Sequence, residues 1–306
     1  FTPEGRGGHV AAIVKDSIYF MGGSRRVSDE NEIKKKYPIR GYNLSDEVFS
    51  LDLTSSFSTV NPPFIDLSGT SRMIYGSIKG AAVSGGANKD DVYLVGGTLQ
   101  NLTLLNQIDH NESISNQSLM LNELIKTWNV TDREMRELNI FIYRPTTQSW
   151  SIPYIRGGPP IRRRSTSTVI TQDGKIYIFG GRAEIDTGSP ALIHFNDIYL
   201  YDTITPRWTK INASNAPSVR SHSTAMLLPN GRILYIGGVS YSQSGDTNLI
   251  DMNNIAVFDT NSLTWSSKQA TGIPIQARVG HTATLTPDNK IIIIGGLAYD
   301  AVTAHP

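Results

Sequence analysis

A short phrase recurs five times along this chain, and an internal repeat constrains the fold more than any single motif does. Each copy begins with a polar residue, continues through four strand-forming residues and ends at a pair of glycines. Because glycine adopts backbone angles that other residues avoid, each pair predicts a sharp exit from a β-strand. The copies are SIYFMGG at 17–23, DVYLVGG at 91–97, KIYIFGG at 175–181, RILYIGG at 232–238 and KIIIIGG at 290–296.

Further elements flank each glycine pair. Upstream, a basic residue introduces another short strand, and these residues are Arg6, Lys79, Arg164, Arg220 and Arg278. Downstream follow a loop of variable length, a third strand, and an aromatic residue that marks a fourth. The third strands are predicted at 46–53, 138–145, 196–203 and 253–260, and the aromatic residues are Phe57, Trp150, Trp208 and Trp265. Each repeat therefore predicts four antiparallel strands, which we name A to D.

This combination of residues resembles the kelch repeat over nearly the whole chain. Kelch repeats form the four-stranded blades of β-propellers, so the resemblance implies an all-β, kelch-type β-propeller. About five blades are visible, the fifth is incomplete, and the resemblance implies six or seven in the full protein. The residues to which it gives a structural role are Gly22, Gly23, Gly96, Gly97, Gly180, Gly181, Gly237, Gly238, Gly295, Gly296, Arg164, Arg220, Arg278, Trp150, Trp208 and Trp265.

The repeats predict one propeller domain with an inserted segment. The blades are expected at about 1–61, 72–154, 163–212, 219–269 and 277–306, with the last one partial. Because natural proteins avoid open strand edges, we expect either a fragment of a larger propeller or closure by a partner, and favour the fragment. In the long insertion at 98–137, Leu121, Leu124, Ile125 and Trp128 recur at helical spacing, which predicts short helices there.

Loop lengths indicate where a ligand would bind. The A–B turns are short, whereas the B–C loops are long and unlike one another, and variable loops on a rigid scaffold commonly carry function. We therefore expect a functional face formed by the B–C and D–A loops. The candidate ligand-binding residues, chosen for an acidic ligand or partner, are Arg162, Arg163, Arg25 and Arg182. The recurring arginines are instead expected to donate hydrogen bonds to carbonyls of the adjacent blade.

Composition and motifs argue against catalysis. The resemblance extends to galactose oxidase, whose copper site needs a tyrosine crosslinked to cysteine, and this chain has no cysteine. No nucleophile, zinc, P-loop or dinucleotide motif is present, so we predict a protein that is not an enzyme and binds no cofactor or metal. A formal net charge of +1 gives no electrostatic reason to expect nucleic acid as a partner.

Glycosylation motifs bear on the compartment. The sequence N-x-S/T occurs at Asn43, Asn101, Asn111, Asn116, Asn129 and Asn212. All lie in predicted loops, which favours a secreted or cell-surface glycoprotein. The segments GRGGHVAAIVKDSIYFMGG and SVRSHSTAMLLPNGRILYIGG resemble extracellular kelch proteins of filamentous fungi, which are membrane-anchored through a segment outside the propeller.

Two classes of function remain open after these observations. The first is a non-catalytic binding scaffold outside the cell, with a protein or glycan as its ligand. The alternative is an intracellular kelch adaptor for cytoskeletal or ubiquitin-ligase partners, and a carbohydrate-active enzyme is a distant third. The sequence does not name the ligand.

Overall fold

The structure is a computed structural model, and it describes residues 1–25, 44–87, 89–104, 126–127, 139–154, 156–242 and 246–298. Its sheets are antiparallel, which confirms the prediction of an all-β, kelch-type fold. The chain forms two compact units. Unit one comprises Phe1–Tyr154, Ile161–Arg164 and Ala183–Leu192, and unit two comprises Ile155–Pro160, Ser165–Arg182 and Ile193–Pro306.

Unit one contains two four-stranded sheets, blades one and two, in the order A-B-C-D. Blade one consists of Val10–Val14, Ser17–Met21, Val48–Asp52 and Phe64–Asp66, and blade two of Ala81–Gly85, Asp91–Val95, Ile140–Arg144 and Ser149–Ser151. Two short strand pairs, Arg6–Gly7 with Ser24–Arg25 and Gly76–Ile78 with Thr98–Gln100, lie in the connecting loops. A short helix covers Ser68–Ser71, and a one-turn 3-10 helix covers Ile185–Thr187.

Unit two repeats the same sheet twice and adds a strand pair. Blade three consists of Ser167–Ile170, Lys175–Phe179, Ile198–Asp202 and Arg207–Ile211, and blade four of Thr224–Leu227, Arg232–Ile236, Asn254–Asp259 and Thr264–Gln269. Strands A and B of a fifth repeat, Val279–Leu285 and Ile291–Leu297, pair antiparallel. The remaining short strands are Arg182–Ala183, Ile193–His194, Val239–Tyr241 and Thr247–Leu249.

The cores form where consecutive blades pack. In unit two, Trp265 of blade four lies with its ring centroid 4.6 Å from that of Phe179 in strand B of blade three. In unit one, the rings of Tyr19 and Tyr143 join blades one and two at 5.8 Å. Such tilted aromatic contacts add specificity to the burial of apolar area.

One secondary-structure prediction is wrong, and another lies almost entirely outside the described residues. Strand D of blade one was predicted to begin near Phe57, which is wrong: the strand covers Phe64–Asp66 and pairs with Phe49–Leu51. The Pro62–Pro63 pair directly before it delays the strand, because proline donates no backbone hydrogen bond. The helices predicted around Leu121–Trp128 lie almost entirely outside the described residues.

Residues with a left-handed backbone conformation mark equivalent positions in the repeats more reliably than the basic residues do. In blades one to four, a residue with positive φ lies two positions before strand A, at Gly8, Lys79, Ser165 and His222. Gly280, inside strand A of the fifth repeat, is the corresponding residue there. Two positions earlier lie Arg6, Ser77, Arg163, Arg220 and Arg278. The recurring arginine of blade three is therefore Arg163 rather than Arg164, and blade two has Ser77 at this position rather than Lys79.

Within each unit, the recurring position joins consecutive repeats through its backbone. Its carbonyl accepts a hydrogen bond from the second glycine of the preceding repeat: Gly23 to Ser77 (2.7 Å), Gly97 to Arg163 (2.8 Å), Gly181 to Arg220 (2.8 Å) and Gly238 to Arg278 (3.0 Å). The arginine side chains were expected to donate to the adjacent blade, but they donate within their own repeat. Nη1 of Arg6, Arg220 and Arg278 reaches the carbonyls of Gly22, Tyr235 and Gly295.

The first glycine of each pair leaves room for this link. At Gly180, φ is 68°, and a Cβ atom would lie 2.2 Å from the carbonyl oxygen of Arg220. We therefore predict that Gly180→Ala lowers the free energy of unfolding by about 2–4 kcal/mol, from left-handed strain plus a clash with fixed backbone. Chemical denaturation measures the change. Gly158→Ala is the matched control, because a Cβ there meets nothing within 4 Å, and equal effects of the two substitutions would contradict the account.

The burial of His281 predicts that the free energy of unfolding depends on pH. His281 is 4% exposed, its Nε2 lies 3.2 Å from Thr224 Oγ1, and burial, followed by the charge of Arg278, lowers its pKa from 6.5. Below pH 6.5 the unfolded chain therefore binds a proton before the folded chain does, so stability falls as the pH falls. His9 and His194 have pKa values lowered chiefly by burial, and they act in the same direction.

We expect His281→Gln to reduce, without abolishing, the loss of unfolding free energy between neutral pH and pH values below 6.5. Urea titrations at several pH values measure this slope for the wild type and the variant. An unchanged slope would show that His281 is not held in its neutral form by the fold.

Candidate functional site

A cavity of about 230 Å³ lies within unit one. Its walls come from B–C and D–A segments, the segments that the loop analysis assigned to the functional face. Thr98 directly follows the glycine pair of blade two, and Arg164 precedes strand A of blade three. The lining residues are Leu44, Ile78, Lys79, Thr98, Arg164, Glu184, Ile185 and Asp186.

Arg164 and two carboxylates form the charged part of this cavity. Nε of Arg164 lies 3.0 Å from Asp186 Oδ2, and Nη2 forms an ion pair with Glu184. The guanidinium is nearly buried, whereas both carboxylates keep part of their surface exposed. Because a buried charge is tolerated only when it is paired and hydrogen-bonded, the two acids stabilise the nearly buried arginine in the cavity wall.

The acidic residues are positioned by a one-turn helix. Two hydrogen bonds join Glu184 and Thr187: the Glu184 N–H donates to Thr187 Oγ1, and Thr187 Oγ1 donates to the Glu184 carbonyl. The turn closes at Gly188, which has a φ of 83°. Nη2 of Arg162 donates a hydrogen bond to the Thr187 carbonyl at 3.3 Å, so a second arginine stabilises the same turn.

The structure does not expose the two arginines that the sequence favoured as ligand contacts. Arg162 is 0% exposed and Arg163 is 3% exposed. Arg162 holds the 3-10 turn, and Arg163 occupies the recurring position, where its Nε donates to the Ile161 carbonyl. The expected basic surface for an acidic ligand is therefore not formed by this pair, because both side chains serve packing and hydrogen bonding inside the unit.

The other two candidates lie elsewhere. The backbone of Arg25 pairs with Arg6, and its side chain lies outside the described part of the chain. Arg182 belongs to unit two, where its Nη1 lies 3.3 Å from the hydroxyl of Tyr241. That ring stacks on His194 with centroids 3.4 Å apart, and the Tyr241 hydroxyl also lies 3.3 Å from Ser221 Oγ.

Unit two continues this polar chain through His222. Its Nδ1 lies 3.0 Å from Ser221 Oγ, and its Nε2 lies 2.9 Å from Ser165 Oγ. These hydrogen bonds connect the segments that precede strand A of blades three and four. Both serines are buried, so neither hydroxyl is exposed as a nucleophile. The histidines His9, His222 and His281 thus serve in packing and internal hydrogen bonds.

The described ranges contain neither a cluster of metal-binding side chains nor a membrane-spanning helix. No group of three or more His, Cys, Asp and Glu side chains there is arranged to hold a metal ion. In the same ranges, no helix has the length and apolar character needed to cross a lipid bilayer.

Sequence reasoning missed Glu184, Asp186 and Thr98 as members of the site. A signal existed for the acids, since the blade-three B–C loop carries Glu-Ile-Asp directly after a glycine pair and an arginine-alanine dipeptide. Their pairing with Arg164, about twenty positions away, depends on how two separate loops fold back. For Thr98 the sequence offers no signal beyond its place after Gly97.

Comparisons with known proteins agree with this architecture. Residues 127–304, more than half of the chain, match the family model described as the KLHDC2/KLHL20/DRC7 Kelch-repeats domain. Kelch domain-containing protein 3 of Rattus norvegicus is 28% identical over 173 residues, covering 54% of this chain and 42% of the relative. Kelch domain-containing protein 1 of Homo sapiens is 29% identical over 162 residues, with 52% and 36% covered.

Another similar protein carries a different name. Acyl-CoA-binding domain-containing protein 4 of Arabidopsis thaliana is 28% identical over 177 residues, covering 57% of this chain and 24% of the relative. The chain thus spans less than half the length of these relatives. The family match, the recurring glycine pairs and the four-stranded sheets lead to one conclusion: this chain belongs to the kelch-repeat family.

Proposed function

We propose that this chain is a non-catalytic binding scaffold whose B–C and D–A segments take a protein partner. The observation that carries the proposal is a contrast between two sets of turns. The B–C and D–A segments differ from blade to blade and form the charged cavity around Arg164. A surface that varies on a periodic framework is suited to specific recognition.

The A–B and C–D turns show the opposite behaviour. In blade three, Thr171 Oγ1 donates to Asp173 and accepts from the Lys175 N–H, and Thr286, Asp288 and Lys290 repeat this network in the fifth repeat. In the C–D turn of blade three, Asp202 accepts the N–H groups of Ile204 and Thr205, both at 2.9 Å. The A–B turns of these two repeats are alike, and they and the C–D turn satisfy their own polar groups, which fits a structural role.

The partner proposed is a protein, with a glycan as the second possibility. Kelch-repeat domains bind protein partners, and the family match therefore supports the first. Ile185 gives the site an exposed apolar residue beside Glu184 and Asp186, and an apolar centre with a polar rim is typical of protein interfaces.

Two isoleucines allow a matched test of this assignment. Ile185 lies in the B–C segment of blade three and is 52% exposed, and Ile204 lies in the C–D turn of the same blade and is 53% exposed. We expect Ile185→Glu to remove proteins that the wild-type chain captures from its own cells, and Ile204→Glu to retain them, because only the first change places charge on the proposed interface. Quantitative mass spectrometry of the captured proteins measures both, and loss with Ile204→Glu alone would place binding on the other turns.

We further propose that the binding occurs outside the cell, with an intracellular kelch adaptor as the alternative. The support is the set of glycosylation motifs. Asn212, directly after strand D of blade three, is exposed, and Asn101 is partly buried with its Oδ1 accepting the Leu104 N–H at 3.1 Å. Asn43, Asn111, Asn116 and Asn129 lie outside the described residues. The fungal, membrane-anchored character belongs to this proposal as well.

Asn212 gives the compartment a direct test. If the chain passes through a secretory pathway, we expect protein from its natural host to carry an N-linked glycan at this exposed acceptor. Peptide mass spectrometry before and after enzymatic deglycosylation detects the modification, and Asn212→Gln should remove it. An unmodified Asn212, together with unmodified asparagine at the other motifs, would favour the intracellular adaptor.

The proposal also excludes oxidase activity of the galactose oxidase type. The copper-radical cofactor of that enzyme contains a crosslinked cysteine, and this sequence has none. Galactose oxidation in the presence of added copper is therefore not expected from this chain.

A further inference from the structure

We propose that the outer edge of strand D in blade four, Thr264–Gln269, binds an extended, glycine-containing peptide of a partner protein by parallel β-pairing. In this mode of recognition the peptide adds one strand to a sheet, and main-chain hydrogen bonds supply the affinity. The edge is a different surface from the one around Ile185, so the inference does not depend on the partner proposed above.

The chain itself shows this pairing once within unit two, on strand D of blade three. Gly157, in the segment that leads into blade three, forms a parallel bridge with Trp208 on the outer edge of that strand. The Trp208 N–H donates to the Arg156 carbonyl at 2.9 Å. Pro159 and Pro160 follow, and because proline donates no backbone hydrogen bond, they prevent the pairing from continuing.

Glycine is what allows the docked segment to come so close to the strand. At Gly157, φ is 80°, and a Cβ atom would lie 2.2 Å from the carbonyl oxygen of Trp208. Another residue at this position would be strained by the left-handed backbone and would clash with the strand. A peptide that docks in the same way therefore needs glycine opposite the tryptophan.

Strand D of blade four has a row of backbone groups that face outwards. Just beyond its end, the Ala270 N–H donates to the Asn253 carbonyl at 2.8 Å. Because the residues of an antiparallel pair alternate in the direction of their backbone groups, the even-numbered residues of this strand face strand C. The N–H and carbonyl groups of Trp265, Ser267 and Gln269 therefore face away from strand C.

Trp265 is the counterpart of Trp208. Each tryptophan is the second residue of its strand D, and each pairs with an aromatic residue of strand C, Phe258 or Tyr201. The four residues that follow Trp265 are exposed, so a peptide can lie along the strand. The equivalent edge that is occupied in blade three is thus available in blade four.

The segment that leads into blade four does not reach this edge. Residues 212–219 join strand D of blade three to Arg220, and they are fewer than residues 152–162, which lead to Arg163. They also contain no glycine. Among the residues that the structure describes, strand D of blade four pairs with strand C alone, and an unpaired edge is a template for another strand.

The charge of the edge indicates one further property of the peptide. Lys268 is exposed and is the charged residue of this strand. In a parallel pair with glycine opposite Trp265, the third residue after that glycine lies beside Lys268. An acidic residue is favoured there, because opposite charges on neighbouring strands attract each other.

A peptide made from the docked segment of the chain tests the proposal. It carries residues 154–158 followed by Thr-Glu-Thr in place of residues 159–161, so that pairing can continue past the glycines. We expect it to bind the whole chain with a dissociation constant of about 100 µM, measured by fluorescence anisotropy. The same peptide with Gly157→Val should bind at least about 10-fold more weakly, because its Cβ would meet the carbonyl of the strand.

Amide hydrogen exchange shows where the peptide binds. The amides of Ser267 and Gln269 should gain protection when the peptide is added, whereas those of Ser266 and Lys268 are already protected by strand C. This alternation is specific to docking on the outer edge.

Two substitutions at one position give a matched comparison. Ser267→Pro removes an outward N–H, at the kind of edge position where a strand tolerates proline, and should weaken peptide binding by about 10-fold. Ser267→Ala keeps that N–H and should bind like the wild type. If Ser267→Pro does not fold, Lys268→Glu places a like charge beside the glutamate of the peptide and should weaken binding by about 3-fold.

Several results would overturn the proposal. They are no binding at millimolar peptide, equal binding of the valine peptide, equal binding by Ser267→Pro and Ser267→Ala, and protection that omits Ser267 and Gln269. Protection of these two amides without peptide, at concentrations where analytical ultracentrifugation shows dimers, would assign the edge to a second copy of the chain and would also overturn it. The comparison of Ile185→Glu with Ile204→Glu is independent of all these outcomes.

Discussion

The backbone hydrogen bond from the second glycine of one repeat to the carbonyl at the head of the next is the contact on which the rest depends. It joins Gly23 to Ser77 and Gly97 to Arg163 in unit one, and Gly181 to Arg220 and Gly238 to Arg278 in unit two. In the first three links the residue before the donor must be glycine, because a Cβ at Gly22, Gly96 or Gly180 would lie 2.5, 2.4 or 2.2 Å from the same carbonyl oxygen. The link fixes the segment that leads into strand A of one repeat against the glycine pair of the preceding repeat in the same unit.

Much of the fold was predictable because the repeat consists of residues with strong local conformational preferences, namely strand formers followed by two glycines. Strand B of blade three is predicted and found at Lys175–Phe179, since four apolar residues end at a glycine pair. The assignment of the recurring arginine to Arg164 failed because Arg162, Arg163 and Arg164 are adjacent, and spacing alone cannot choose among them. The choice is made by the left-handed backbone at Ser165, which a sequence does not display.

The candidate site was predictable in place but not in composition. Loop length indicates the B–C and D–A segments, and residues of these segments line the cavity. That this face binds a partner stays a prediction. Which charges face the solvent depends on how loops distant in sequence fold together. Arg162 is drawn inside to hold the Thr187 carbonyl, and Arg164 is covered by Glu184 and Asp186. Where a basic surface was expected, the described residues place an arginine paired with two carboxylates.

Amide hydrogen exchange at Gly181 and Gly238, followed residue by residue by NMR, tests the central claim most directly. If their N–H groups hold consecutive blades together, both amides exchange only when the surrounding blades unfold, with protection close to that of the strand B core. Exchange as fast as that of the exposed Gly158 would contradict the account, because the link between repeats would then open without unfolding.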